Sequence, residues 1–291
     1  MGAVRSTNMV KPSTFAIPLP PNAMSTMSSS YVSRFLIPNC VPLAQYDKLP
    51  LIKMNTTTQE HITFLSDGFQ LSGTLHLPDN PPHGFVIGSH GLLSSGDSPK
   101  QLRLGRECSR RGMAFLRFDH RGCGRSAGDF ERVTSLETRH NDIENAIQWM
   151  QERFGTNRLG LFGSSLGGTA ALSVAGTRPV DAVVTLAAPV TGASILESAD
   201  ADADLKGLPV SFYYKCLHFD ISEKLHRISN VLVFHGDADA VVPVSNGYRI
   251  NAHAKDPKRL IVQKNGDHRM SNPVHQKDFY NIAVDWLANI I

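Results

Sequence analysis

The sequence lacks the features that mark several large classes of protein. It has only four cysteines among 291 residues, and no two of them have the C-x-x-C spacing of a redox or zinc site. Free thiols in a reducing compartment are the simpler interpretation. No apolar run approaches the roughly 18 residues that a membrane span needs. The net charge of +3 is small, and no basic cluster with interleaved aromatic residues is present, which argues against a nucleic-acid partner.

Acidic residues are also scarce at the N-terminus, where Asp47 is the only one among the first 55 residues. This segment is rich in Ser, Thr, Pro, Asn and Met, a composition that does not bury enough apolar surface to order itself. Two interpretations stay open: an organellar transit peptide, which is basic and poor in acids, or an upstream extension. We therefore expect a leader or extension over 1–55 and a folded domain over 56–291. The expected location is cytoplasmic, or an organelle if the leader is a transit peptide.

Beyond this segment, strand-like and helix-like stretches alternate. An entry hairpin around Asp67-Gly68 is followed by predicted strands at 84–89, 114–118, 159–162, 181–187, 231–234 and 259–263, with helices at about 100–111, 136–154 and 273–291. This alternation predicts an α/β fold built on a mainly parallel, doubly wound sheet. The stretch before the strand at 231 is too long for a simple loop, and it predicts a small helical cap insertion over about 190–228.

The strongest motif is the pentapeptide G-x-S-x-G at 163–167. It lies between an apolar run and a small-residue stretch, the strand–turn–helix context in which the motif carries meaning. A turn this sharp needs glycine two residues before and after the central serine. Ser165 has Gly163 and Gly167 at these positions, whereas a turn centred on Ser164 would place large side chains there. Ser165 is therefore the candidate nucleophile.

A serine hydroxyl needs a base to take its proton, and the base needs an acid that fixes its tautomer. In this type of site the acid follows the serine in the chain and the histidine comes last. The apolar strand at 231–234 ends in a polar loop that carries Asp237 and Asp239. Asp239 is preferred as the acid because it lies deeper in the loop, while Asp237 suits a role in shaping the turn.

The candidate base follows the next strand. The polar loop after residue 263 holds a single histidine, His268. Most of the 12 histidines are interpreted as individual surface or loop residues. His275 comes too late, inside the terminal helix, His253 lies on the preceding helix and His235 lies at a strand end. Placement therefore selects His268.

These motifs, with Ser-His-Gly-Leu at 89–92 and the charged, glycine-rich stretch at 117–126, resemble those of the α/β-hydrolase superfamily. Within it the chain is similar to the small serine esterases that include bacterial cinnamoyl and feruloyl esterases, and the resemblance runs from about residue 58 to the end. It implies an oxyanion hole made by the backbone N–H groups of Leu92 and Leu166. His90 is then a hydrogen-bonded structural residue.

Three apolar side chains are tentative substrate contacts. Leu93 directly follows the expected oxyanion loop, which we define as residues 90–92, and Phe212 and Tyr213 lie in the predicted cap. The aromatic pair either forms a wall for the acyl group or simply docks the cap onto the main domain, and both interpretations stay open. For the loop at 119–126 we expect a scaffold in which Asp–Arg hydrogen bonds brace the oxyanion loop, rather than a phosphate site.

The expected activity is hydrolysis of a small carboxylic ester through an acyl-serine intermediate. No metal site, other cofactor or membrane span is expected, and the expected partner is a small-molecule ester. Aminopeptidase or thioesterase activity on the same three residues is an alternative, as is a non-catalytic protein that binds a small molecule. Acyl and alcohol specificity and the oligomeric state stay open at this level.

Overall fold

The structure is a computed structural model that describes residues 58–196 and 209–291. The predicted leader over 1–55 lies outside these residues, as does 197–208 of the predicted cap insertion. The described residues belong to one unit, Lys53–Ile291. Within them, no helix has both the length and the apolar character to cross a membrane.

The elements follow the order that the sequence predicts. The described strands are β1 (Thr58–Ser66), β2 (Phe69–Leu77), β3 (Phe85–Ser89), β4 (Ala114–Phe118), β5 (Leu159–Ser164), β6 (Ala182–Leu186), β7 (Val231–Gly236) and β8 (Lys258–Gln263). The described helices are α1 (Pro99–Arg110), α2 (Phe130–Val133), α3 (Leu136–Phe154), α4 (Leu166–Ala175), α5 (Ala193–Leu196), α6 (Val210–Cys216), α7 (Ser222–Leu225), α8 (Ser245–His253) and α9 (Pro273–Ile290).

The strands form one sheet in the order β1-β2-β4-β3-β5-β6-β7-β8. β1 pairs with β2 and β2 with β4 in antiparallel fashion, and every later pair is parallel. The predicted hairpin is confirmed: Asp67 and Gly68 both have positive φ angles, 48° and 82°, as a type I′ turn requires. The α/β fold with a mainly parallel sheet is confirmed as well.

The two faces of the sheet carry separate apolar cores, which is what a doubly wound sheet requires. On one face, α1 and α9 pack through residues such as Leu104 and Phe279. On the other, α3 and α4 pack through residues such as Ile147 and Ala171, with contributions from α7 and α8. The central strands are therefore buried on both faces, and they read in the sequence as continuous apolar runs rather than alternating ones.

Local sequence signals set both ends of α3. α3 begins at a capping box in which Ser135 and Thr138 exchange side-chain to backbone hydrogen bonds. It ends at Gly155, whose φ of 65° closes the helix in the left-handed conformation. Between β6 and β7, where the sequence predicts a helical cap, the described residues form the three short helices α5, α6 and α7.

The topology brings the sequence motifs to one edge. β3 lies between β4 and β5. After β3 the chain passes to β4 on one side, and after β5 it passes to β6 on the other side, so the loops after β3 and β5 border the resulting crevice. Ligands of open α/β sheets bind at such a switch point, outside the carboxyl ends of the strands. The loops after β7 and β8 reach the same edge, because all these strands are parallel.

Candidate active site

The turn between β5 and α4 has the geometry that the pentapeptide predicts. Ser165 has φ 52° and ψ −129°, a strained conformation for a residue other than glycine. A Cβ on Gly163 would lie 2.2 Å from the carbonyl oxygen of Gly167, and one on Gly167 would lie 2.3 Å from the carbonyl oxygen of Ser89. Backbone cannot yield to such contacts, so both flanking positions require glycine.

The structure brings together the three side chains that the sequence singles out. The Nε2 atom of His268 lies 3.1 Å from the hydroxyl oxygen of Ser165, and its Nδ1 atom lies 2.8 Å from Oδ2 of Asp239. Both distances are within hydrogen-bond range. The carboxylate fixes the imidazole with Nδ1 protonated, so Nε2 is free to accept the proton of Ser165.

The carboxylate of Asp239 is buried and fully partnered. Its Oδ1 atom accepts hydrogen bonds from the backbone N–H groups of Val241 at 2.9 Å and Val242 at 2.8 Å. Its neighbour Asp237 instead accepts a hydrogen bond from the backbone N–H of Asn265, which ties the loops after β7 and β8 together. The two aspartates thus occupy the two positions that the sequence analysis distinguishes.

The expected oxyanion loop lies directly beside the serine. A Cβ built on Gly91 would be 3.5 Å from the Cβ of Ser165. Leu166 is the first residue of α4, so its N–H has no acceptor within the helix. Among the described residues, neither the N–H of Leu92 nor that of Leu166 donates a hydrogen bond. Both donors are therefore available to an oxygen atom bound near Ser165.

A buried arginine that sequence reasoning missed holds this loop. Arg139, on α3, is 1% exposed. Its Nη1 donates to the carbonyl oxygen of His90 at 2.8 Å, and its Nη2 donates to those of Leu92 at 3.2 Å and Gly91 at 3.4 Å. The C=O and N–H of one trans peptide point in opposite directions. The Gly91 carbonyl also accepts a hydrogen bond from Nδ1 of His90 at 2.7 Å. His90 and Arg139 together therefore hold this carbonyl and turn the Leu92 N–H away from the guanidinium.

Comparison with known proteins agrees with this architecture. Residues 80–198 match the family of serine aminopeptidases, S33. The chain is 30% identical over 224 residues to the uncharacterized protein YfhR of Salmonella typhi, covering 72% of this chain and 74% of that one. It is also similar to the rat mitochondrial palmitoyl-protein thioesterase ABHD10, with 28% identity over 209 residues, 64% of this chain and 69% of that protein.

Solved structures show the same fold. The structure of Est1E from Butyrivibrio proteoclasticus with bound ferulic acid has a TM-score of 0.67 at 18% identity, covering 79% of this chain and 98% of that one. The chain belongs to the α/β-hydrolase superfamily. The match to YfhR of Escherichia coli (strain K12), at 29% identity, spans 62% of the length of that protein.

Beneath the oxyanion loop, this α/β-hydrolase has a second buried polar network. His120 Nε2 lies 2.8 Å from the hydroxyl oxygen of Ser89, and its Nδ1 lies 3.1 Å from Oδ2 of Asp142. The backbone N–H of His120 donates to Nε2 of His90 at 3.1 Å. The network thus joins the carboxyl ends of β3 and β4 to α3. His90 is a hydrogen-bonded structural residue here, as expected.

The charges of this network are balanced internally. Burial opposes ionisation of Asp142, but hydrogen bonds and charges from His120 and Arg121 outweigh it and lower the pKa of the carboxyl to about 2. Arg121 Nε donates to Asp142 Oδ1 at 2.8 Å. Asp119 accepts from the backbone N–H groups of Gly96 and Arg125. The loop at 119–126 is therefore a braced scaffold that contacts the oxyanion loop through the His120–His90 hydrogen bond, whereas the guanidinium of Arg139 binds the carbonyl oxygens of that loop.

Most of the 12 histidines are partly or fully exposed, as the sequence analysis expects, but three besides His90 are buried. His76, His120 and His235 are at most 1% exposed. Each has a hydrogen-bond partner: Arg117, Ser89 and the carbonyl of Val242, respectively. Asp142 and Arg139 are three residues apart, and so project from one face of α3. That spacing is the one sequence signal that pointed to a buried polar cluster beneath this helix.

Acid is expected to destabilise the fold between about pH 6.5 and pH 4. Burial, and then the charge of Arg139, lowers the pKa of His120 from 6.5 to about 4. Between these values the unfolded chain binds a proton that the folded chain does not, so the free energy of unfolding falls as the pH falls. His120 alone accounts for about 3 kcal/mol over the whole window. Urea denaturation at pH 7.5 and pH 4.5 measures the effect.

Variants of two histidines sharpen this experiment. His253 is exposed, and its change to glutamine should leave the pH dependence unchanged. His120→Gln removes one of the buried histidines with a lowered pKa and should reduce the pH dependence, while His76 and His90 still contribute. Equal unfolding free energies of the unmodified chain at both pH values would contradict the assignment of buried, neutral histidines.

The expected substrate contacts differ in their surroundings. Leu93 is 47% exposed, whereas Phe212 is 2% exposed. The Phe212 ring stacks on Phe130 of α2 at a centroid distance of 5.2 Å and belongs to an apolar cluster with Leu92 and Leu166. Of the two interpretations, docking of the cap helix describes Phe212. Tyr213 packs at the edge of the same cluster and is only partly buried.

The thiols near the site are buried. Burial raises the pKa of Cys123, which lies 3.8 Å from Nη2 of Arg139, and raises that of Cys216 to about 11. Both thiols are therefore protonated at neutral pH and poor nucleophiles. Within residues 58–196 and 209–291, no group of three or more His, Cys, Asp or Glu side chains is arranged to hold a metal ion.

Proposed function

We propose that this chain hydrolyses small carboxylic esters through an acyl-serine intermediate. The observation that carries the proposal is the hydrogen-bonded relay Ser165–His268–Asp239, with distances of 3.1 and 2.8 Å, at a strained turn beside two free N–H donors. The nucleophile, the base and the group that orients the base are the three components that acyl transfer by serine needs.

In the proposed mechanism, the ester carbonyl lies between Ser165 and the N–H groups of Leu92 and Leu166. The Ser165 oxygen attacks the carbonyl carbon while its proton passes to Nε2 of His268. Asp239 stabilises the imidazolium that forms. The carbonyl oxygen becomes an oxyanion held by the two N–H groups, and such preorganised donors are usually the largest electrostatic contribution to the rate.

The reaction is then completed in two stages, release of the alcohol and hydrolysis of the acyl-serine. The C–O bond to the alcohol breaks, and the leaving oxygen takes the proton from His268, which leaves the acyl group on Ser165. A water molecule next gives its proton to His268 and attacks the acyl carbon. Collapse of this second oxyanion releases the carboxylic acid and returns the proton to Ser165.

The surroundings of the relay favour an uncharged acyl group. The side chains of Leu92 and Leu166 are buried in the apolar cluster with Phe212, and Leu93 lies exposed beside them. The wall near the proposed oxyanion hole is thus apolar. An apolar wall of this kind does not compensate a charged group beside the reacting carbonyl.

Thioester hydrolysis is the second candidate, because a relative is named a palmitoyl-protein thioesterase and the same machinery serves both leaving groups. Aminopeptidase activity is suggested by the name of the matching family, and it needs a carboxylate for the substrate ammonium. The predicted cap offers Glu197, Asp200 and Glu223 for that role. The first two lie outside the described residues, and Glu223 is an exposed residue of α7.

A substrate panel with an active-site probe tests the proposal. We expect the chain to react with a fluorophosphonate probe and to turn over p-nitrophenyl acetate and butyrate. An S-acyl thioester and an aminoacyl naphthylamide of matched acyl size measure the two alternatives. Absence of probe labelling and of turnover on all substrates would instead favour the non-catalytic binding protein.

A further inference from the structure

A cavity of about 430 Å³ lies along α4, away from its N-terminal end. Its walls come from the first turns of α3, the last turn of α4 and the segment from α6 to α7, and they include Ser173 and Lys224. Ser173 comes eight residues after Ser165, which is about 12 Å along a helix axis. None of the described residues that line the cavity belongs to the relay or to the oxyanion loop.

Packed side chains separate this cavity from the proposed oxyanion hole. Two of its lining residues, Leu136 and Cys216, belong to the same apolar cluster as Leu166. Leu166 is fully buried, and Cys216 is 1% exposed. The cavity is therefore a compartment distinct from the space above Ser165.

The cavity carries an excess of positive charge. Lys215 and Lys224 line it, and among the described lining residues Glu137 is the only carboxylate. Neither ammonium group forms an ion pair with a carboxylate of the described residues. Among the described lining residues, two lysines thus stand against one carboxylate.

The hydrogen bonds of the lysines leave several donors unused. Nζ of Lys224 donates to the hydroxyl oxygen of Ser173 at 2.8 Å, and that hydroxyl lies 3.0 Å from Nδ1 of His140. Because an ammonium only donates, the Ser173 hydroxyl oxygen is the acceptor of the bond with Lys224. Nζ of Lys215 donates to the carbonyl oxygen of Arg132. An ammonium has three N–H donors, so each lysine keeps two for a ligand.

The electrostatics of the wall favour the binding of an anion. Burial, and then the charge of Arg227, lowers the pKa of Lys224. Burial, and then the charge of Lys224, lowers the pKa of His140, with Glu144 and Glu137 opposing. An anion beside Lys224 would relieve the cost of desolvating that ammonium.

We propose that this cavity binds a small organic anion whose phosphate or carboxylate group lies between Lys215 and Lys224. Phosphate and carboxylate share the oxygen acceptors that ammonium groups bind. The volume falls within the range of small-molecule pockets and exceeds what an inorganic ion fills. Leu136 and Phe219 supply apolar wall for the remainder of the ligand. The inference does not rest on the proposed esterase activity.

Isothermal titration calorimetry on the full chain, with three probes that share a phenyl ring, tests the site. Phenyl phosphate and benzoate carry the two anionic groups, and phenol is the neutral control. We expect saturable binding of at least one anion, at least tenfold tighter than that of phenol, and the tighter anion identifies the ligand class. Equal binding of phenol, or no saturable binding of either anion, overturns the proposal.

Lysine variants locate the binding in this cavity. Lys224→Met and Lys215→Met keep the length of the side chain without its charge, and each should weaken binding of the tighter anion at least tenfold. Lys255 is an exposed lysine outside the cavity, so Lys255→Met should bind as the unmodified chain does. Unchanged affinity in the two cavity variants, or an equal loss in Lys255→Met, overturns the proposal. Should Lys224→Met fail to fold, Lys215→Met decides, because Lys215 is exposed.

Discussion

Replacing Ser165 with alanine is expected to reduce the turnover of p-nitrophenyl butyrate by about 10⁴- to 10⁶-fold. The hydroxyl is the atom that bonds to the acyl group in the proposed mechanism, and no other side chain at the site replaces it. Its hydrogen bond to His268, at 3.1 Å, marks where the proton goes. The same change should abolish labelling by a fluorophosphonate probe.

The fold should survive this change. Residue 165 has a φ of 52°, and alanine has no greater steric demand there than serine, so the strain at the turn should stay about the same. Urea denaturation should give a free energy of unfolding within about 0.5 kcal/mol of that of the unmodified chain. This comparison separates lost chemistry from lost structure.

The neighbouring residue supplies a matched control. Ser164 is the last residue of β5, carries the same hydroxyl and lies outside the relay. Ser164→Ala should therefore retain turnover and probe labelling. If Ser165→Ala stays fully active, or if Ser164→Ala loses activity while Ser165→Ala keeps it, the assignment of the nucleophile is wrong.

Replacing Arg139 with methionine is expected to lower kcat by about 10²- to 10³-fold, the usual effect of losing one oxyanion donor. The guanidinium holds the carbonyls of His90, Gly91 and Leu92. Without it, the carbonyls of His90 and Leu92 lose this donor and the Gly91 carbonyl keeps only its hydrogen bond to Nδ1 of His90, so the peptide that presents the Leu92 N–H is held less firmly. Because that donor acts mainly on the oxyanion and not on the bound ester, KM should change little.

The affinity for a transition-state analogue distinguishes a role in positioning the oxyanion donor from a purely structural role. A trifluoromethyl ketone should lose affinity for the Arg139→Met variant in step with the fall in kcat/KM. Arg139→Lys keeps the charge but not the planar guanidinium, and its kcat should lie between that of the unmodified chain and that of Arg139→Met. Arg139→Met also leaves buried carbonyl groups without partners, at about 1–3 kcal/mol each, so the folded fraction must be measured alongside.

Arg153 provides the control on the same helix. It lies in the last turn of α3 and pairs with Glu60 on the surface, away from the oxyanion loop. Arg153→Met should retain kcat. A kcat for folded Arg139→Met within threefold of the unmodified chain would show that the loop holds its shape without the guanidinium.

The sequence by itself placed the elements with small errors because their signals are local. The hairpin at Asp67-Gly68 follows from the positive φ angles that its turn type needs, and α3 has the bounds that its pattern and its glycine end indicate. Ser165 could be distinguished from Ser164 for the same reason. A sharp turn sets steric limits on residues two positions away, and those limits can be read along the chain.

Only the tertiary structure decided which distant polar groups meet. His268 is 103 residues from Ser165, and chain order made their pairing an expectation without fixing a distance. The same holds for residues that come from separate helices and loops. Examples are Arg139 with the carbonyls of the oxyanion loop, His120 with Asp142, and the two lysines that line the cavity. The local sequence does not specify such partners. From the sequence alone, an arginine on α3 would be assigned to the surface. Packing buries its guanidinium, and the carbonyls of the oxyanion loop then become its hydrogen-bond acceptors.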